Sequence, residues 1–280
     1  MDSLVRLQFS KVGKARFISH LDLMSTMRRA LLRAGVSLKY SEGFNPHPYM
    51  SVALPLPIGC ASVCEFMDVR VGGVDALAVG GGERGAFGGG GEVGGFVHDA
   101  SADGGGETGA FDGGVGGVVS GEIGDFGGEI DGEVGFSCDA FVEKINAQLP
   151  EGIKILDIYT PMRKLKEISW VEIFGILYYD KGAPADAAAK LAARYSERSI
   201  IISKKTKRSV SDLDIAPFIR DIEFDDADEV TIKAKVFVHD PTVSTDNLLA
   251  ALSGGFAELA PDYASFTRLE VFDAGMRPFR

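Results

Sequence analysis

The chain has 280 residues, a formal net charge of -11 and three cysteines. That length suits two ordinary domains with real cores, three cysteines are too few for a disulfide framework and suit a reducing cytoplasm, and no apolar run reaches the roughly 18 residues of a membrane span. The acidity is local, because eleven Asp and Glu stand against one arginine between Gly80 and Gly135, leaving the rest of the chain nearly neutral.

In chain order, LVRLQFS and KARFIS read as short strands joined at Gly13, and Leu21 to Ala34 reads as a helix with Met24, Met27 and Leu31 on its apolar face. Ser19 and Asp22 have the spacing of a capping box, and Gly35 stands where a left-handed stop belongs. A strand is expected at Val36 to Tyr40. A proline-punctuated loop then carries Asn45 and His47, which folding back would set beside the start of the helix, and Cys64 to Val71 alternates as a strand. Residues 80–135 hold 24 of the 36 glycines and repeat a Gly-Glu-x-Gly-x-Phe unit. Ordering so many glycines costs more backbone entropy than a few Phe and Val offset, so a disordered acidic insertion is expected there. Beyond it, Ala140 to Leu149 looks helical and Ile153 to Tyr159 extended.

The second half repeats the order. Trp170 to Tyr179 reads as a strand, Ala185 to Tyr195 as a helix, Ser199 to Lys204 and Val230 to Val238 as strands, Thr245 to Ala251 as a helix and Phe266 to Phe272 as a strand. The expected fold is α+β, with two tandem ferredoxin-like (βαββαβ) domains at residues 1–160 and 161–280, the first carrying the insertion.

His20 and His47 are the histidines in ordered positions, and with Asp22 they are the candidates for acid–base work. A capping or packing role is the plainer alternative for each. Cys60, Cys64 and Met67 have the spacing Cys-x3-Cys-x2-Met, one thiolate short of the triad that holds the iron–sulfur cluster of radical SAM enzymes, so buried cysteines and no metal are expected. Arg16, Arg29, Arg33, Tyr40 and Asn45 are candidates for binding substrate. Lys204, Lys205, Lys207 and Arg208 put four cations into five residues, a run suited to tracking phosphates, most commonly those of RNA. No phosphate-binding loop or nucleophile motif accompanies them.

FSKVGKARFISHLDLM, RRALLRAG and YSEGFNPHPYMSVALPLPIG together resemble the signature of the radical SAM-linked conserved hypothetical family, a bacterial domain of unknown function. The resemblance is dense over residues 5–71 and weaker over 140–220, where KKTKRSVSDLDIAPFI is similar to the family's basic segment; the long glycine-rich insertion departs from the pattern. It implies an accessory protein, encoded beside or fused to a radical SAM protein, with the iron–sulfur cluster and S-adenosylmethionine on that partner. RNA or the ribosome is the substrate this suggests, and the family supplies no catalytic residue to carry over. The tandem arrangement is also similar to that of CRISPR repeat-processing endoribonucleases, which gives the alternative of metal-independent RNA processing through His20 or His47.

Overall fold

Alternation along the first strand sets the layers: in β1 (Asp2–Lys11) Val5, Leu7 and Phe9 are buried on one face, and Arg6 and Gln8 alternate with them. The computed structural model describes residues 2–72, 138–205 and 210–280. The expected insertion at 80–135 lies outside the described residues, as do Lys207 and Arg208. β1 pairs antiparallel with β3 (Ala61–Gly72) on one side and β4 (Ile153–Tyr159) on the other. Helices α1 (His20–Arg33) and α2 (Cys138–Asn146) cover the apolar face, where Leu23, Met27, Leu31 and Ile145 join Leu7, Phe9, Met67, Val69 and Ile155 in one core. α1 begins where Ser19 Oγ accepts the amide of Asp22 and ends at Gly35, whose φ of 86° requires the left-handed region.

The same sheet continues through the rest of the chain. β5 (Ile168–Tyr178), β8 (Ile219–Asp225), β9 (Val230–Phe237) and β10 (Tyr263–Asp273) extend it to the order β4-β1-β3-β10-β5-β9-β8, and β2 (Met50–Val52) also pairs with β3. The β3–β10 junction is parallel and short, Thr267 facing Ala61 and Arg268 facing Ser62, whereas the other ladders are antiparallel. Helices α3 (Ala187–Tyr195) and α4 (Thr245–Ala250) set Leu191, Tyr195 and Leu248 into a second core with Ile173, Ile232 and Ala234. β6 (Ile201–Lys205) and β7 (Val210–Asp214) form a separate two-stranded sheet. The described residues thus make a mixed α+β fold with one large mixed sheet and few helices.

Three expected elements differ. KARFIS does not extend a strand: Gly13–Phe17 is a 3-10 turn, begun by Gly13 at φ 58° and buttressed where Val12 donates to the Gly152 carbonyl at 2.7 Å. The chain must turn there to bring α1 back over the sheet. Val36 to Tyr40 touches β3 through an isolated bridge, Leu38 to Val71, and the continuous ladder on that edge belongs to β2. Ser199 to Lys204 is extended but pairs only with β7, so the sheet strand of that position is β8. β8 escapes recognition because Asp221, at φ 48°, and a register shift between Arg220 and Glu223 break its alternation.

Candidate functional site at the start of α1

The end of β1, the start of β3 and the middle of β10 meet at one corner, and the sequence puts a charge at each. Lys11 is 1% exposed, and its Nζ donates to the carbonyl of Ile18 at 3.0 Å, tying β1 to the segment that opens α1. Glu65, 2% exposed, accepts from Arg268 Nη1 at 2.7 Å, and Arg268 also donates to the carbonyl of Leu54 at 3.0 Å. Burial pushes the Glu65 carboxyl above its usual range despite Arg268, Ser62 and Lys11. Burial likewise pulls the Lys11 ammonium down, with Glu65 and Cys60 opposing it.

His20, the first residue of α1, borders this cluster. Its Nδ1 is buried and has no hydrogen-bond partner among the described residues. Burial, and then the charge of Lys11, lower its pKa and so favour the neutral imidazole. Asp22 is exposed and spent on the cap, accepting the Ser19 hydroxyl at 2.7 Å. Arg16 donates to Ser265 Oγ at 3.0 Å and lies 4.7 Å from the centre of the Phe17 ring. Around it the rim is apolar: Phe17 is 54% exposed, Leu21 75% and Ile58 67%. The backbone of Gly59 donates to the Arg16 carbonyl at 2.9 Å, which fixes the Ile58 loop against this turn.

The other candidates lie elsewhere, and the two histidines are not brought together. The segment bearing Tyr40, Asn45 and His47 closes on itself, Ser41 donating to the His47 carbonyl at 2.8 Å, and is tied to β3 where Arg70 donates to the Tyr49 carbonyl at 2.9 Å. Lys11 faces Ser62 on the same strand. Eight residues of strand separate the two ends, roughly 26 Å at the usual rise, so His47 sits at the far end of β3 from His20. All three loop residues are exposed. Arg29 is exposed and bonds back to the Ser25 carbonyl, while Arg33 reaches the Gln148 carbonyl at 2.8 Å.

Lys204 donates to the carbonyl of Thr242 at 3.2 Å, just before Ser244 caps α4. Asp246 lies in the first turn of α4. Of Lys205 the backbone in β6 is described. Cys60 and Cys64 are free and buried in the second core, whereas Met67 lies in the first, on the other face of β3. Cys64 donates to Glu270 Oε1 at 3.1 Å, and burial together with that bond pushes its thiol up to about 12. Among the described residues no group of His, Cys, Asp and Glu stands where it would hold a metal ion, and no helix is long and apolar enough to cross a membrane.

Sequence reasoning missed Lys11, Glu65 and Arg268. The available signal was a charge at a buried phase of an alternating strand, as at Glu65 between Cys64 and Phe66.

The model of a family described as an uncharacterized protein conserved in bacteria (DUF2344) matches residues 5–78 and 114–248. The chain belongs to the DUF2344 family. The match takes in β1, α1 and the start of β3, hence Lys11, His20 and Glu65 at the corner, and stops before the strand that carries Arg268. No curated protein matches the chain.

Proposed function

We propose that this DUF2344 protein is an RNA-binding accessory to a radical SAM protein, and that the corner at the start of α1 is its contact surface. The observation that carries this reading is the rim itself, where Arg16 lies against the exposed Phe17, and Leu21 and Ile58 stand exposed nearby. Cations track a phosphate backbone, and exposed aromatic rings stack unpaired bases, so the two together suit a single strand. The radical SAM partner, and the iron–sulfur cluster and S-adenosylmethionine it would carry, rest on the resemblance of residues 5–71; the cytoplasm is the setting that fits both. Two ferredoxin-like halves, residues 1–160 and 161–280, are the architecture we infer. The strand orders β2-β3-β1-β4 and β8-β9-β5-β10, each with two helices in its core, support it.

Titration of a fluorescent single-stranded RNA at several salt concentrations tests the binding surface. Affinity falls with salt; Arg16→Gln shallows that dependence, and Phe17→Ala weakens binding at every salt without changing the slope. Absence of salt-dependent binding by the wild type removes the RNA reading. Failure to co-purify with a radical SAM protein encoded beside it removes the partner.

A second reading, a metal-independent RNA-processing enzyme, is favoured by His20 alone. A neutral imidazole is suited to accept the proton of a ribose 2′-hydroxyl, and with Nδ1 buried it would do so through Nε2.

A further inference from the structure

β4 ends the large sheet: it pairs with β1 on one side, and no described strand lies on the other. An edge strand presents a row of backbone N–H and C=O groups that a second chain can extend, so folded proteins pair, cover or blunt it. The sequence of this one, IKILDIY, contains neither Pro nor Gly, and Leu156 is 43% exposed. Lys154 and Asp157 are exposed charges, but of opposite sign, so they do not by themselves repel a second copy. Residue types alone leave this edge able to add a strand.

The backbone bonds of β4 show what closes it. The Ile155 amide donates to Asn146 Oδ1 at 2.7 Å, and Asn146 Nδ2 donates back to the Ile155 carbonyl at 3.0 Å. The N–H and C=O of one strand residue point the same way, so both groups of Ile155 are turned from β1 to the open side. One side-chain amide thus makes the donor and acceptor pair that a neighbouring strand would make. Asn146 is the last residue of α2, and the preceding Ile145 is 1% exposed in the first core, so a packed helix holds the amide in place. Along the same strand the Ile153 amide donates to the Pro150 carbonyl at 3.2 Å and the Ile158 amide to Asp157 Oδ1 at 2.7 Å. The opposite edge is blunted by other means. In β8 the ladder breaks between Arg220 and Glu223, Asp221 has φ 48°, and Arg220, Asp221, Glu223 and Asp225 are all exposed charges.

We propose that Asn146 guards this edge: its side chain stands in for a neighbouring strand and withholds β4 from antiparallel pairing with a second copy of the chain. A carboxamide is the chemistry the task requires. It carries a donor and an acceptor side by side, as a peptide group does, whereas an aspartate of the same size only accepts and an alanine does neither. The corner at the start of α1 takes no part in this device, so it stands or falls separately from the RNA reading.

The test compares the full-length wild type with Asn146→Ala in two measurements. Sedimentation velocity over a range of concentrations reads self-association, and fluorescence anisotropy reads capture of a labelled peptide with the β4 sequence, EGIKILDIYT. Asn146→Ala should associate with rising concentration and bind the peptide about ten-fold or more tightly than the wild type, which must first give up two hydrogen bonds. A lower melting temperature in Asn146→Ala is expected whether Asn146 guards the edge or merely ties α2 to β4; peptide capture separates the two, because a simple tie predicts none. Asn146→Asp keeps the acceptor for the Ile155 amide and loses the donor, so it should fall between the two proteins, and it decides the matter if Asn146→Ala does not fold. Variants that stay monomeric and bind the peptide no better than the wild type overturn the proposal. So does a wild type that pairs through β4 as readily as they do.

Discussion

The two faces of β3 handle buried charge in opposite ways. On the α1 face Glu65 has one arginine, Arg268, and burial wins, so its carboxyl titrates above the usual range. On the other face Glu270 is also desolvated, but Arg280, the amide of Val271 and the Cys64 thiol all donate to it and leave its pKa below the usual value. Asp273 receives two amides and two arginines and is lowered as well, chiefly by the amide of Arg277. Depth of burial and the donors that oppose it decide the sign together, the Glu65 side chain being 1% exposed and that of Glu270 21%. The enclosed Glu65 locks the short β3–β10 junction at a cost even with Arg268 and Ser62 bonded to it, while Glu270 and Asp273 favour the folded state as ions.

The sharpest way to break this comparison is to remove one partner of the enclosed pair. Arg268→Met should destabilise the protein by about 3–5 kcal/mol in urea melts, because it leaves Glu65 buried and unpaired. Adding Glu65→Leu should recover most of that loss, since two apolar side chains replace a pair that never repaid its desolvation. A single variant that melts like the wild type would show that Glu65 is not enclosed.

Acid titration separates the two faces by sign. Glu270 and Asp273 have folded pKa values below the ordinary 4.5 and 3.8, so the stability they contribute is complete above those values and is lost as pH falls through the folded ones. Glu65, raised above 4.5, acts inversely: its folded form holds the proton more tightly, and stability is lost as pH climbs from 4.5 through the folded pKa. Denaturation midpoints between pH 2 and about 7 should therefore fall less steeply toward acid in Glu270→Gln than in the wild type. In Glu65→Gln the component lost with rising pH disappears.

Local signals in the sequence account well for α1 and for the long strands. Ser19, Asp22 and Gly35 bracket α1 because capping and left-handed stops are written in adjacent residues, and the long strands β1, β3, β5, β9 and β10 show as alternation. What stayed hidden depends on distant partners. Nothing near Glu65 announces Arg268, 203 residues away, and nothing near Arg6 announces Arg163, 157 residues away. Of the two candidate histidines, His20 lies at the corner, but the loop of His47 is tied by Arg70 and Lys39 to the far end of β3, a constraint that sequence proximity to α1 conceals.

The smallest expected effect on stability is the most informative about function, and it lies at His20. Its folded pKa is below the ordinary 6.5, so the unfolded chain takes up the proton more readily, and stability falls as pH drops from 6.5 through the folded value. His20→Gln removes that slope, which chemical denaturation at closely spaced pH values between about 5 and 7 would resolve. The same variant divides the two functional readings. If the corner only holds RNA, His20→Gln leaves the affinity for a single strand and its salt dependence nearly unchanged, because the neutral form of the imidazole is favoured and adds no cation to the surface. If the corner cuts RNA, the wild type cleaves without added metal and the variant loses about 10²–10⁴-fold of that rate while still binding, the signature of a missing general base. A wild type that binds and does not cleave leaves His20 with a structural task at the first turn of α1, beside Lys11.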